Sequence, residues 1–354
     1  MIDVSASRCI TTGKNLAVIF EMKSLRLFAV NDLRLCDDPL PTPAHDETLI
    51  RVTAVGLCGS DLHWLDEGAI GDAQLSQPLV LGHEFAGATP DGTRVAVDPA
   101  LPCGQCEFCR EDNPNLCIAL RFAGHSTQDG ALREYMAWQM HCLYQLPDSL
   151  ADIDGAMLEP LGVALHAIDL GHIRPGMSVG VFGCGPIGLL VVQLARLTGA
   201  TTIVATDILK HRLDAARTFG ATHAMEADGQ EAIKILSMTN GRGVDVAFEV
   251  AGANAAVDAA IAAAKPGARV VLVGIPGDDR TTFTASVARR KGLTIKLSRR
   301  MKHSYPRAIQ LAASGKIDLR SIVTHRFPFA QFRQAFAVAQ KREGLKVMIE
   351  PARG

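Results

Sequence analysis

Four of the nine cysteines in this 354-residue chain fall within fifteen residues, CGQCEFCREDNPNLC, as Cys103, Cys106, Cys109 and Cys117. The C-x2-C-x2-C-x7-C spacing lets four thiolates of one loop wrap a tetrahedral Zn²⁺ with no position left open, so the chemistry it suggests is structural. An iron–sulfur cluster suits similar spacings, although the proline usual after the last cysteine is missing. Unligated thiols are the third possibility.

A second constellation is scattered. GLCGSDLHW supplies Cys58, Ser60, Asp61 and His63, LGHEFAG supplies His83 and Glu84, and LEPLGVALHA supplies Glu159 and His166. Each has a bland reading alone: a lone Cys packs as a small hydrophobe, Asp61 caps a loop, and His63 is simply exposed. Together, one thiolate, one imidazole and one carboxylate make a neutral site with Zn²⁺, its fourth position open to water or an alcohol. That composition suits a reactive metal.

The third feature is VFGCGPIG, which sets Gly183, Gly185 and Gly188 in G-x-G-x-x-G spacing around Pro186 and Ile187. It follows an apolar strand and opens a helix. There the first glycine permits a tight turn, the second admits a pyrophosphate to the backbone, and the third lets helix and strand pack closely. Unpaired N–H groups at the helix start face the anion. Nineteen residues after Gly188, at the end of the next apolar strand, stands Asp207. Its carboxylate can accept adenosine ribose hydroxyls and would repel a 2′-phosphate, which favours NAD over NADP. Arg212 can lie along the same ribose, and with Lys210 it pulls the other way. The competing reading is a packing turn with Asp207 as a helix cap.

The elements that must position these groups differ between the two parts of the chain. Up to about residue 165 short strands and loops dominate: a hairpin turns at Asn31-Asp32, and TLIRVTAVG reads as an apolar strand. From residue 178 strands and helices alternate, with SVGVF, a helix over 186–198, TIVAT, a helix over 209–219, then VDVAFEV, ARVVLVG and LTIKL. Such alternation predicts a doubly wound parallel sheet of the Rossmann type. Helices follow at YPRAIQLAASGK and over 330–343, and the pattern alone leaves the partner of the closing strand LKVMIE open. The expected organisation is a flexible N-terminal arm over 1–21, a mainly β catalytic domain over 22–165, a dinucleotide-binding domain over 166–298, and a return segment over 299–354.

Composition bounds the function. Lys and Arg number 36 against 37 Asp and Glu, so no net field draws the chain to nucleic acid or an anionic membrane. No apolar run reaches the ~20 residues that span a bilayer. The first twenty residues, with Asp3, Arg8 and Lys14, lack the core of a secretory signal. A cytoplasmic enzyme is expected, and in a reducing compartment clustered cysteines are metal ligands more often than disulfides.

GLCGSDLH, LGHE, the cysteine lobe, LEPLGVALHA, VFGCGPIG with Asp207, and VTHRFPFAQFRQAF together resemble the zinc-dependent medium-chain dehydrogenase/reductase family, most of all its sorbitol (polyol)/L-idonate dehydrogenase branch. The resemblance spans roughly residues 22–350. It implies a GroES-like catalytic domain completed by the C-terminal residues, two zinc ions per chain, NAD, a polyol or related sugar derivative as substrate, and a homodimer or homotetramer. It matches Cys58, His83 and Glu84 to the catalytic zinc ligands, and places Glu159 where classical alcohol dehydrogenases carry a cysteine ligand. It passes a proton from the substrate through Ser60 and the nicotinamide ribose to His63. It sets Val273, Gly274 and Ile275 at the nicotinamide, and Trp64, Phe122 and Arg299 at the substrate. Arg300 departs from the family's tyrosine; with Lys302 and His303 in SRRMKH it forms a positive cluster suited to a sugar acid such as idonate. Threonine dehydrogenase shares the Cys, His and Glu pattern. A non-catalytic NAD(H)-binding protein or a zinc-free quinone reductase would need neither the open metal site nor the proton route.

Overall fold

The computed structural model describes residues 7–9 and 18–351. The expected arm over residues 1–21 therefore lies mostly outside the described residues; the backbone of Ser7–Cys9 pairs antiparallel with the start of strand Val18–Ala29. The chain forms two compact units, one of Met1–Cys103, Ala119–Glu159 and Val323–Gly354, the other of Gly104–Ile118 and Pro160–Ile322. These divisions differ from the boundaries expected at 165/166 and 298/299. Helix Leu158–Gly171 runs without a break through the first of those points. Past the second, the chain stays in the second unit, where the side chain of Gln193 exchanges two hydrogen bonds with the backbone of Asp318, at 3.0 and 2.7 Å.

The first unit is built on a seven-stranded sheet whose central strand is Glu47–Gly56. Ile50, Val52 and Ala54 alternate along it and are fully buried, the period-two signature of a strand with one face in the core. Glu84–Ala88 and Tyr135–Gln139 pair with it antiparallel. The closing strand Lys346–Glu350 also joins this sheet, with Met348 opposite Gly56 and Ile349 opposite Val55, and it runs parallel to Val323–Pro328 on its other side. The hairpin Val18–Ala29 with Asp32–Pro39 turns through Asn31 at φ 59°, a left-handed conformation that asparagine tolerates. Leu25, Leu27, Phe85, Trp138, Phe332 and Phe336 fill the core.

The second unit holds a six-stranded parallel sheet in the order His223–Glu226, Thr202–Asp207, Ser178–Phe182, Val244–Glu249, Ala264–Leu272, Thr294–Leu297. The chain order reverses between Ser178–Phe182 and Val244–Glu249, the place where doubly wound sheets take ligands beyond the strand carboxyl ends. Helix Leu158–Gly171 was not evident in the sequence because it is buried on nearly every side and so lacks an amphipathic period. Among the described residues no helix is long and apolar enough to cross a membrane.

Candidate active site

Helix Gly59–Glu67 starts immediately after Cys58, and strand Glu84–Ala88 starts immediately after His83. The two element starts meet: one donor atom each of Cys58, His83 and Glu84 lie within 4.8 Å of one another. Asp61, fully buried, ties the segments together. Its Oδ2 accepts the Cys58 N–H at 2.9 Å, its Oδ1 accepts the Gly82 N–H at 3.0 Å, and Oδ1 lies 3.8 Å from His83 Nδ1. The carboxylate that caps the helix thus also stands beside the imidazole, at 3.8 Å too far for a hydrogen bond but close enough to act on its charge.

Glu84 and Lys346 form an ion pair at exposures of only 2% and 3%. A Cβ at Gly56 would stand 2.2 Å from Glu84 Oε2 and 2.9 Å from Lys346 Cε, so the cradle requires glycine there. Burial works against the charge on Lys346, but Glu84 and Cys58 outweigh it and raise its pKa. Burial, with the charge of Glu84, pushes the Cys58 thiol up to about 11. Burial likewise pushes Glu159 up to about 8; His83 opposes the rise, and Glu84 and Cys58 add to it. Asp61 rises through burial against His83 and its two backbone donors. Several acids driven toward protonation around a thiol, an imidazole and a carboxylate are short of positive charge, and a divalent cation would supply it. The donor set therefore fits Zn²⁺. Glu159, 5% exposed, stands outside the 4.8 Å group although its charge interacts with all three members.

Ser60 Oγ lies 3.5 Å from His83 Nε2, and His63 Nδ1 lies 2.9 Å from Glu67 Oε1 one helical turn on. The Phe122 ring leans on His83 with centroids 5.3 Å apart. Trp64 is 1% exposed, stands edge-on to His125 at 5.7 Å, and has a buried Nε1 with no hydrogen-bond partner among the described residues. His125 and Lys346 escaped the sequence reading. A lysine opening the wholly buried strand KVMIE was the available signal for Lys346; nothing local marked His125. His166 is not in the cluster, and burial lowers its pKa.

The four lobe sulfurs also lie within 4.8 Å of one another, with Cys106 and Cys109 3.5 Å apart. Tetrahedral Zn–S bonds of ~2.3 Å put sulfurs about 3.8 Å apart, so this group too fits zinc. The lobe engages the SRRMKH segment. Arg299 Nε donates to the Asn115 carbonyl at 2.9 Å and Asn115 Nδ2 donates to the Arg299 carbonyl at 3.1 Å. Lys302 Nζ reaches Asn113 Oδ1 at 3.1 Å and Asp112 at 3.3 Å, and His303 Nε2 lies 2.9 Å from Asp112. The positive cluster expected from sequence is thus answered, at Lys302 and His303, by the chain's own Asp112. Two of its members already have a carboxylate partner, in exposed ion pairs.

In the second unit the three motif glycines are needed for different reasons. Gly183 has φ 111°, and a Cβ at Gly188 would lie 2.0 Å from the Gly183 carbonyl oxygen, so both are demanded by the fold. Gly185 has φ −66°, and a Cβ there would meet nothing nearer than Arg212 Nη1 at 3.8 Å. Neither strain nor packing calls for that glycine, and the bare backbone there leaves room for the close approach of a phosphate group. Pro186 occupies the first turn of helix Pro186–Leu197, followed by Ile187. Asp207 Oδ2 accepts the Cys184 N–H at 2.7 Å and Oδ1 the Leu209 N–H at 2.9 Å, which sets the carboxylate beside the loop with a lone pair to spare on each oxygen. Val273 and Gly274 N–H groups donate to the Glu249 carbonyl, and Ile275 is 52% exposed. Buried Glu249, unmarked in sequence, receives the Ala251 and Gly252 N–H groups at 2.8 and 2.7 Å.

Residues 44–148 match the alcohol dehydrogenase GroES-like domain, and residues 186–314 match the zinc-binding dehydrogenase family. The chain is 37% identical to the sorbitol dehydrogenase of Bacillus subtilis over 94% of its own length and 98% of that protein's. The crystal structure of L-idonate 5-dehydrogenase from Escherichia coli superposes with a TM-score of 0.86 at 27% identity, covering 93% of this chain and 98% of that one. A zinc-binding dehydrogenase from Sinorhizobium meliloti bound to NADP gives 0.86 at 30% identity, covering 94% and 99%. The chain belongs to the zinc-dependent medium-chain dehydrogenase/reductase family, in its polyol dehydrogenase branch. It is an oxidoreductase acting on alcohols.

Proposed function

We propose that the protein oxidises a polyol or other secondary alcohol to the ketone with hydride transfer to NAD. The observation that carries this reading is the convergence of Cys58, His83 and Glu84 within 4.8 Å, with Ser60 beside His83. Cys58, His83 and Glu84 would hold a catalytic zinc, and Cys103, Cys106, Cys109 and Cys117 a structural one. When bound, zinc lowers the pKa of a coordinated hydroxyl toward ~7, and the nicotinamide accepts the hydride.

The chain's own residues do the rest. Asp61 orients His83 and Cys58. Ser60 takes the substrate's hydroxyl proton, and His63, paired with Glu67, delivers it to solvent. Glu159, protonated more readily than an ordinary carboxylate, contributes a second carboxyl whose charge follows the state of the centre. Trp64 and Phe122 pack the substrate side, Trp64 Nε1 offering an unused donor to a hydroxyl, and Arg299, with Arg300 beside it, is the substrate residue that the family resemblance implies. Gly183, Gly185, Pro186, Ile187 and Gly188 cradle the pyrophosphate, Asp207 and Arg212 face the adenosine ribose, and Val273, Gly274 and Ile275 receive the nicotinamide amide. Asp207 supports NAD over NADP.

A sugar acid is the second reading, supported by the idonate dehydrogenase likeness and by Arg299 and Arg300; the pairing of Lys302 and His303 with Asp112 weighs against it. A homodimer or homotetramer is supported by the sheet-edge strand Thr294–Leu297, where Leu297 is 76% exposed, and by Ile118, 78% exposed. The functional test is a panel of polyols, aldonates, sugar phosphates and threonine with NAD and NADP, followed by reduced-nicotinamide absorbance. Turnover of a neutral polyol with NAD is expected. Turnover of threonine alone, or of no alcohol, would overturn the reading.

A further inference from the structure

Strand Ser178–Phe182 lies between two strands that each end on a buried acid. Thr202–Asp207 pairs with it on one side and Val244–Glu249 on the other, with Asp207 at 7% and Glu249 at 1% exposure. The functional reading uses Asp207 and gives Glu249 no part. Both stand at the carboxyl end of the parallel sheet, where the strand order reverses and a dinucleotide lies across the crevice. An adenosine ribose at Asp207 leaves the Glu249 side to the nicotinamide half.

Glu249 joins two loops there. Its Oε1 accepts the N–H groups of Ala251 and Gly252 at 2.8 and 2.7 Å, while its backbone carbonyl accepts those of Val273 and Gly274 at 2.8 and 3.2 Å. Oε2 turns toward Gly274: a Cβ on that glycine would stand 2.9 Å from Oε2 and 2.1 Å from the Gly252 nitrogen. A Cβ on Gly252 would in turn stand 2.4 Å from the Ile275 carbonyl oxygen, so the loops touch backbone to backbone. Burial raises the pKa of the carboxyl, and the N–H groups of Ala251, Gly252, Ala253 and Gly274 oppose that rise. All four are donors, so the ionised carboxylate is the form they fit. The glycine turn has anchors of its own, the Gly183 N–H donating to the Thr206 carbonyl at 2.8 Å and the Cys184 N–H to Asp207.

We propose that Glu249 is a positioning residue for the cofactor: its carboxylate fixes the ledge over residues 273–275 against the loop over 250–252, and so sets affinity for the nicotinamide half alone. The proposal rests on the functional reading above, in which Val273, Gly274 and Ile275 receive the nicotinamide amide. Glu249 acts through the backbone it holds.

The test uses the full-length, zinc-loaded protein and two ligands that differ by the nicotinamide, NADH and ADP-ribose, each titrated by calorimetry. Glu249→Gln keeps the volume and leaves an amide oxygen for Ala251 and Gly252, but turns an N–H donor toward that of Gly274. It should weaken NADH binding about tenfold, the loss expected for one mispaired buried hydrogen bond, and leave ADP-ribose binding within about twofold. Glu249→Ala, which also strands the Ala251 and Gly252 donors, should widen the gap between the two ligands. Unchanged NADH binding by Glu249→Gln would overturn the proposal. So would equal losses for NADH and ADP-ribose, the pattern that general damage to the fold produces. A parent that binds neither ligand would overturn the functional reading, and the proposal with it.

Discussion

Lys346→Met probes the proposed catalytic centre through a residue that is neither ligand nor acid–base group. The side chains are close in volume, so packing changes little. What is lost is the partner of Glu84, at a site where both groups are at most 3% exposed. Stranding a buried charge costs about 3–5 kcal/mol. The zinc-free variant should therefore lose about 3 kcal/mol, the lower end of that range. With zinc bound, the carboxylate has a cation and most of that penalty disappears. By linkage the variant should then bind zinc at this centre more tightly, on the order of 100-fold. Urea unfolding of zinc-free and zinc-loaded forms gives the stabilities, and competition with a chromophoric chelator gives the affinity. The contribution of the cysteine lobe cancels between variant and parent. An equal stability loss in both forms, or weaker zinc binding by the variant, would refute the reasoning that Glu84 is shared between Lys346 and the metal.

Two further predictions concern the second unit. Gly185→Ala should leave the unfolding temperature unchanged and weaken NADH binding at least tenfold by fluorescence titration, whereas Gly188→Ala, whose Cβ would meet the Gly183 carbonyl oxygen at 2.0 Å, should lower stability by about 2–3 kcal/mol; equal stability losses would show that Gly185 serves packing. Asp245 receives hydrogen bonds from Arg242, the Lys265 ammonium and both Ser178 donors, which outweigh burial and hold its carboxyl far below the ordinary range. A depressed folded pKa means the stabilisation is complete above about pH 4 and is lost as pH falls toward the folded value. Asp245→Asn should cost about 2 kcal/mol at pH 7, discounted because Arg242 is half exposed, and should flatten the acid limb of stability against pH. An unchanged acid limb would show that the network does not hold the group.

What the sequence revealed depended on the range of the signal. Strands Ser178–Phe182 and Thr202–Asp207 and the glycine turn between strand and helix carry their signals within a few neighbours, so they could be read directly. Cys58, His83 and Glu84 are separated in sequence, and only their chemical complementarity, with the family resemblance, drew them together. Lys346 and His125 could not be reached that way: one arrives through the pairing of the last strand beside Gly56, the other through a loop folded onto Trp64. Helix Leu158–Gly171 escaped because a helix buried on nearly every side shows little period. SRRMKH misled in a different way, since its charges looked available until Asp112 was seen to occupy two of them. The partner of a charge is a tertiary fact.

Metal analysis joined to activity tests the central claim most directly. The parent should contain two zinc ions per chain; Cys58→Ser should retain one and lose all alcohol oxidation, whereas Cys103→Ser should lose the other and destabilise the fold. A zinc-free parent with full activity, or a Cys58→Ser variant that keeps both metals and turns over normally, would contradict the account.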